Sequence, residues 1–356
     1  MVSFIKSRLY YSNAWPNPAQ FGDDVLLIYD QIFDRHAKVK EWVRRFPNRY
    51  AVKSGESLKD LGQFAKHMQQ ITKRTQNLSS RRLKIVVLGG GSVGDFGGFV
   101  ASIYKRGVEL IHIPSTWLAA MDSAHGGKTA LNVAGAKNQI GTFYPATHIY
   151  MIKPLLLAQP QERDFEALGE LIKMALLTGG PLFAKLNQAS KLNGAALWKI
   201  LPLVVQEKYR IVKLDPLEQS GIRHLLNFGH TMGHVFEAHY ALPHGVAILA
   251  GLQFALEWSY QRGIMTEKDY LRLMRAPFWR KAVSAKLQGP WKKLSMLALL
   301  SEKPATFMNY IEQDKKRTSS KALRFVFLKT PGKPIIQEVP LSDFPEEISR
   351  QSHYWG

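Results

Sequence analysis

Residues 83–99 read LKIVVLGGGSVGDFGGF. Leu83 to Leu88 is uniformly apolar toward its end, as a parallel strand covered on both faces must be. The glycines begin where the strand stops. Positions 89, 91 and 94 satisfy G-x-G-x-x-G between a strand and a helix. In that setting glycines let the backbone turn sharply and approach a pyrophosphate at a helix N-terminus. A tight structural turn is the competing reading. The ribose-binding acid expected about 20 residues further on is not evident. Glu109 stands at that distance but opens a strand instead of ending one, so a dinucleotide would be held differently from the ordinary mode.

Upstream, Val25 to Tyr29 (VLLIY) is a strand, with a helix expected from Asp30 through Trp42. Tyr50 to Val52 is a second strand. Apolar Leu58, Leu61, Phe64, Ala65, Met68 and Ile71 recur at helical spacing, predicting an amphipathic helix over 58–75. Downstream, Glu109 to Ile113 is a further strand. This alternation argues for a doubly wound α/β domain. Residues 126–129 read GGKT but lack the first glycine of a phosphate-binding P-loop, because Asp122 stands there. Lys128 on its glycine turn, with Lys137 and Asn138 shortly after, suggests an anion contact.

Beyond about Pro154 the pattern turns helical, which places the domains at 1–155 and 156–356. Helices are expected over 163–177, 201–212 and 246–260, and a late strand pair over 323–328 and 334–339. Glu170 and Lys173, at i, i+3, read as an ordinary helix ion pair.

Residues 221–245 (GIRHLLNFGHTMGHVFEAHYALPHG) hold five of the chain's 11 histidines. On a helix starting near Leu225, His230, His234 and Glu237 share one face. His244 follows a break at Pro243 and opens the next element. Two imidazoles and a carboxylate suit zinc or a similar ion. H-E-x-x-H is not met, because Thr231 takes the place of the general-base Glu.

The absence of cysteine leaves only His, Asp and Glu as metal ligands. The longest apolar run, Val246 to Leu256, is too short to span a bilayer. The start lacks an apolar signal segment. A cytoplasmic protein is the expectation, without membrane partners. The net charge of +20 is spread, and its clusters do not alternate with aromatics as a nucleic-acid stacking platform does. A basic surface with an anion-binding pocket is therefore expected, and not a nucleic-acid partner.

Together the ordered segments GESLK (55–59), GGGSVGDFGGF (89–99), KRG (105–107), MDSAHGGKTALN (121–132), AKNQIGTFY (136–144), GELIK (169–173), GIRHLLNFGHTMGHVFE (221–237), PHG (243–245) and DKK (314–316) resemble the 3-dehydroquinate synthase family of sugar-phosphate cyclases. The resemblance implies an N-terminal NAD-binding, Rossmann-like α/β domain and a mostly α-helical C-terminal domain, with the active site between them. It implies that Glu170, His230 and His244 hold a divalent metal, zinc or cobalt, which corrects the spacing argument for His234 and Glu237. Lys128, Lys173, Lys208, Arg223, Asn227 and His234 would be catalytic, with Asn138, Asp122 and Lys316 on the substrate. Arg106 would reach the neighbouring subunit's phosphate site in a homodimer. NAD would contact Glu56, Lys59, Gly90, Gly91, Asp95, Thr116, Asp122 and Lys137.

The implied reaction takes an anionic sugar phosphate, 3-deoxy-D-arabino-heptulosonate 7-phosphate, to 3-dehydroquinate in the shikimate pathway. A hydride passes to NAD, phosphate is eliminated, the hydride returns, and the opened ring closes by an intramolecular aldol step. The set Lys208, Arg223, Asn227 and His234 matches the branch whose substrate carries a carboxylate. Departures from the family pattern are Ser115, Ala124, His125, Met151 and Val246, the last replacing a carboxylate after the second histidine. A cyclase for another sugar phosphate, an NAD- and metal-dependent polyol dehydrogenase, and a catalytically silent basic binding module are the alternatives.

Overall fold

The computed structural model describes residues 7–189, 191–284, 300, 302–312 and 321–354. The chain divides into two compact units, Met1–Gln159 and Pro160–Gly356.

The first unit is built on a six-stranded parallel sheet. Its strands are β1 (Arg8–Ser12), β2 (Val25–Asp30), β3 (Arg49–Val52), β4 (Lys84–Gly89), β5 (Glu109–Pro114) and a late strand, His148–Ile152, numbered β8 below. Their order is β1-β8-β5-β4-β2-β3. Alternate side chains serve opposite faces. Leu27, Tyr29, Val86, Leu88, Ile111 and Ile113 form one core with Trp42 and Val43 of α1 (Ala37–Arg44). The other face carries Val87, Leu110 and His112 against α3 (Gly91–Ile103). There a Cβ on Gly97 would lie 2.5 Å from Val87 Cγ2. Helices therefore cover both faces, as the continuous apolar strands require.

Local capping breaks two predicted helices. The Asp30 carboxylate accepts from Ile32 N at 3.1 Å and starts a 3-10 turn, Gln31–Arg35. His36 is extended, and α1 begins only after it. Likewise Glu56–Lys59 is a 3-10 turn, and Asp60 accepts from Gly62 N at 2.8 Å to cap α2 (Leu61–Thr75). Leu58 is thus buried outside the helix. A hairpin that periodicity did not predict, β6 (Lys128–Val133) with β7 (Ala136–Phe143), packs on α3: a Cβ on Gly98 would lie 2.6 Å from Thr129 Cγ2. β8 (His148–Ile152) then leads into the short α4 (Lys153–Leu157).

The second unit is helical, with α5 (Gln161–Thr178), α6 (Gly180–Gln188), α7 (Gly194–Leu214), α8 (His230–Tyr240) and α9 (His244–Gln261). α10 (Glu267–Met274), α11 (Pro277–Ser284), α12 (Pro304–Ile311) and α13 (Asp343–Tyr354) follow. The antiparallel pair β9 (Ala322–Thr330) and β10 (Lys333–Pro340) lies over α9, where Trp258 meets Phe325 and Phe327 at 4.9 and 5.5 Å. The helix expected from Leu225 is corrected. Ile222–Asn227 is a 3-10 turn, Gly229 is left-handed at φ 75°, and α8 starts at His230. Arg223 and Asn227 therefore sit on a separate turn from His230 and His234. Among the described residues no helix is long and apolar enough to cross a membrane.

Candidate active site

In the first unit the glycine turn is organised by close approaches. A Cβ on Gly89 would lie 2.5 Å from Val93 Cβ, and one on Gly90 would lie 3.2 Å from Thr116 Cγ2. Gly91 faces Ser123, next to Asp122. Beside this turn the buried Lys59 ammonium donates to Asp95 at 2.8 Å and to Asn138 Oδ1 at 2.5 Å. Asn132 donates to Glu56 Oε2 at 2.7 Å and accepts from Asn138 N at 2.8 Å. Burial pushes the Asp95 carboxyl up, against the pull of Lys59. Glu56, Lys59, Asp95 and Asn138 are thereby joined in one network. Asn132, which sequence reasoning did not single out, links Glu56 to Asn138. Lys128 and Lys137 stand exposed on the hairpin. His125 is buried, with Nε2 2.8 Å from Ala120 O, and ties down the segment carrying Asp122.

Arg106 is exposed on a strained turn: Lys105 and Arg106 hold φ of 51° and 68°, before Gly107 at 110°. Non-glycine residues rarely hold such angles, and where they do the strain commonly marks a functional segment.

In the second unit three helices cross with backbone in contact. A Cβ on Gly245 of α9 would lie 1.8 Å from Glu166 O of α5, and one on Gly251 would lie 1.9 Å from Gly229 O. These crossings bring Glu170, His230 and His244 together. Glu170 Oε1 is 3.2 Å from His230 Nε2 and 3.4 Å from His244 Nε2, and the carboxylate is buried. The far ring nitrogens are engaged: His230 Nδ1 lies 3.2 Å from Phe228 O and His244 Nδ1 lies 2.8 Å from Glu237 Oε2. Three donor atoms, one from each residue, lie within 4.8 Å of one another. With no thiolate, this N/O set suits zinc or a comparable divalent ion.

The electrostatics agree with a cation seat. Burial opposes charge on Glu170, yet Lys173 and His230 hold its carboxyl well below the usual range. Burial, then Lys173, depresses His230. Burial also opposes charge on His244, but hydrogen bonds and attraction from Glu170 and Glu237 push it up to about 10. A proton there stands where a metal would compete for it. Helical spacing groups His230, His234 and Glu237 on one face. Glu237 instead reaches His244, and His234, exposed, lies 5.3 Å from the His230 ring between centroids. His234, Glu237 and His244 do form a second cluster within the same 4.8 Å limit.

Beside the cage, Lys173 pairs with Glu170 and is fully enclosed; elsewhere in the unit Lys208 on α7 and Arg223 are buried cations. Asp215 builds the turn that presents Arg223. Its carboxylate accepts from the backbone of Gln219, Ser220 and Arg223 at 2.7, 3.0 and 3.2 Å. Arg223 Nη1 donates to Pro216 O at 2.8 Å. Asn227 lies on the same turn, near His224. Lys316, with the segment 314–316, lies outside the described residues.

A nucleotide-type α/β unit followed by a helical unit with a carboxylate–diimidazole cage defines the class. Residues 49–167 match the profile of the 3-dehydroquinate synthase N-terminal domain, and residues 167–317 that of the C-terminal domain. The 3-dehydroquinate synthase of Alkaliphilus metalliredigens (strain QYMF) is 31% identical over 337 residues, covering 92% of this chain and 88% of the relative. The chain belongs to the 3-dehydroquinate synthase family. Its fold is shared by a 2-deoxy-scyllo-inosose synthase solved with carbaglucose-6-phosphate, NAD+ and Co2+, at 22% identity and TM-score 0.78 over 96% of each chain. It is shared too by the 2-epi-5-epi-valiolone synthase of Streptomyces hygroscopicus subsp. jinggangensis 5008, solved with NAD+ and Zn2+, at 17% identity and TM-score 0.79 over 99% of each chain.

Proposed function

We propose that the chain is a 3-dehydroquinate synthase. It converts 3-deoxy-D-arabino-heptulosonate 7-phosphate to 3-dehydroquinate and phosphate, as a carbon–oxygen lyase that regenerates its NAD. The observation that carries this reading is the 31% identity to a synthase of that name, spread over 92% of the chain. The intact cage, the Lys173 paired with it, and the buried cations Lys208 and Arg223 of the same unit support it.

Glu170, His230 and His244 would hold the divalent ion, zinc or cobalt, which polarises a substrate hydroxyl. Glu56, Lys59, Gly90, Gly91, Asp95, Thr116, Asp122 and Lys137 would hold NAD, which takes a hydride and gives it back. Lys173, fully enclosed beside Glu170, keeps that carboxylate ionised and orients the hydroxyl. Lys208 and Arg223 meet the substrate's anionic groups, and their burial makes each charge count for more than it would in water. Asn227 and His234 complete the hydrogen bonding, with Lys128, Asn138 and Lys316 as further substrate contacts. Arg106 reaches the phosphate of a neighbouring subunit in a cytoplasmic homodimer, which would give its strained turn a purpose.

A cyclase for a different sugar phosphate is the second reading, favoured by Ser115, His125 and Val246. One assay separates the two. Purified chain with 3-deoxy-D-arabino-heptulosonate 7-phosphate, NAD and Zn2+ or Co2+ should release phosphate and form 3-dehydroquinate without net NADH, and a chelator should stop it. No release from this substrate, with release from sedoheptulose 7-phosphate or glucose 6-phosphate, would transfer the assignment.

A further inference from the structure

The geometry points to Glu237 as the residue that positions His244, holding its ring through Nδ1 so that Nε2 is presented to the cage; this rests on the metal reading above. Glu237 Oε2 lies 2.8 Å from His244 Nδ1, while His244 Nε2 lies 3.4 Å from Glu170 Oε1 on the other side of the ring. One imidazole thus bridges two carboxylates, and only one of these belongs to the cage. A carboxylate on the far nitrogen fixes a ligating histidine's tautomer and raises its basicity.

Glu237 is well anchored for this task. It lies two helical turns after His230 on α8, and α8 is locked to α9, which begins with His244, by the Gly229–Gly251 crossing. The same helix therefore supplies one ligand and the orienting group of another.

The test uses the full chain, Co2+ and Zn2+ as probes, and competition with a chelator of known affinity. Glu237→Ala should weaken binding about 10- to 100-fold. One ion per chain should remain, with the visible Co2+ bands of the wild type. Glu237→Gln keeps an acceptor oxygen at the same reach and should bind more tightly than Glu237→Asp, which keeps the charge but is one methylene short. Thermal unfolding of the metal-free variants should match the wild type, while the metal-induced rise shrinks in Glu237→Ala. Were Glu237→Ala to lose its fold, the order of Gln and Asp decides alone, and Asp ahead of Gln overturns the proposal.

Unchanged affinity in Glu237→Ala overturns it as well. Two ions in the wild type and one in Glu237→Ala would make Glu237 a ligand, and would overturn it too. A wild type that binds no Co2+ or Zn2+ overturns the metal reading and this inference with it. Tight wild-type binding with an unaffected Glu237→Ala overturns this inference alone.

Discussion

Gly169 of α5 and Gly245 of α9 meet without side chains between them: a Cβ on Gly169 would lie 2.3 Å from the Gly245 carbonyl oxygen. Each glycine is next to a cage residue, Glu170 or His244. The distance between those two side chains is therefore set by backbone contact.

Gly245→Ala should push the helices apart. Overpacking of this kind costs about 1–3 kcal/mol, or more where the obstacle is backbone. The second unit should melt at least several degrees lower, since about 1 kcal/mol shifts a unit of this size by roughly 2–4 °C. Zn2+ affinity should fall with it. A variant that melts and binds zinc like the wild type would show that the crossing does not set the cage.

Lys59→Met should cripple NAD binding and leave the metal in place. The substitution strands Asp95 and removes the donor to Asn138. Asp95 keeps its charge beside the glycine turn without its partner, so NAD affinity, read by calorimetry, should drop at least tenfold. The ion held by the second unit should be retained.

Acid should weaken the first unit through His112. This ring is enclosed on β5 beneath Gly94, and burial lowers its pKa to about 4. Below pH 6.5 the unfolded chain takes up a proton that the folded one refuses. Stability is therefore full above pH 6.5 and is lost as pH falls toward 4, by about 3 kcal/mol from this ring at 1.36 kcal/mol per pH unit. Denaturant titrations across that range should show the loss, and His112→Leu should flatten it. An equal slope in the variant would exclude His112 as the cause.

Asp215→Ala should lower kcat/KM without touching metal content. The variant frees three backbone N–H groups and loosens the turn that carries Arg223. Uncompensated donors cost about 1–3 kcal/mol each, and a misplaced Arg223 should raise KM for the phosphorylated substrate about tenfold. Burial opposes charge on Asp215, but the backbone donors from Ser220, Arg223 and Gln219 hold its pKa below the usual carboxylate range. Its contribution is present above the unfolded pKa and is lost as pH falls through the folded one.

Much of this was legible in the chain. The apolar strands at 25–29 and 83–88 announced a buried parallel sheet, and the glycines at 89–94 announced the turn after it; that Gly97 and Gly98 also let helix and strand nearly touch was visible only in the structure. The hairpin at 128–143 escaped periodicity because its second strand is mostly exposed and polar, so no alternation of burial marks it. Helical spacing reports neighbours on one helix, so it grouped His230, His234 and Glu237 and could not reach Glu170. The cage takes its carboxylate from α5, and that partner is set by helix crossings. A glycine beside each cage residue was the signal available. Asp215 carried no motif, since its partners are backbone amides.

Every cage residue, and the lysine paired with Glu170, comes from the Pro160–Gly356 unit, while the glycine turn and its Lys59 network come from Met1–Gln159. The two halves of the chemistry are thus inherited from separate stretches of chain and can fail separately. A chelator should therefore strip the ion and leave the nucleotide site standing, while Lys59→Met should do the reverse. Preparations inactivated by chelation would then be revived by zinc alone, and those carrying Lys59→Met would not.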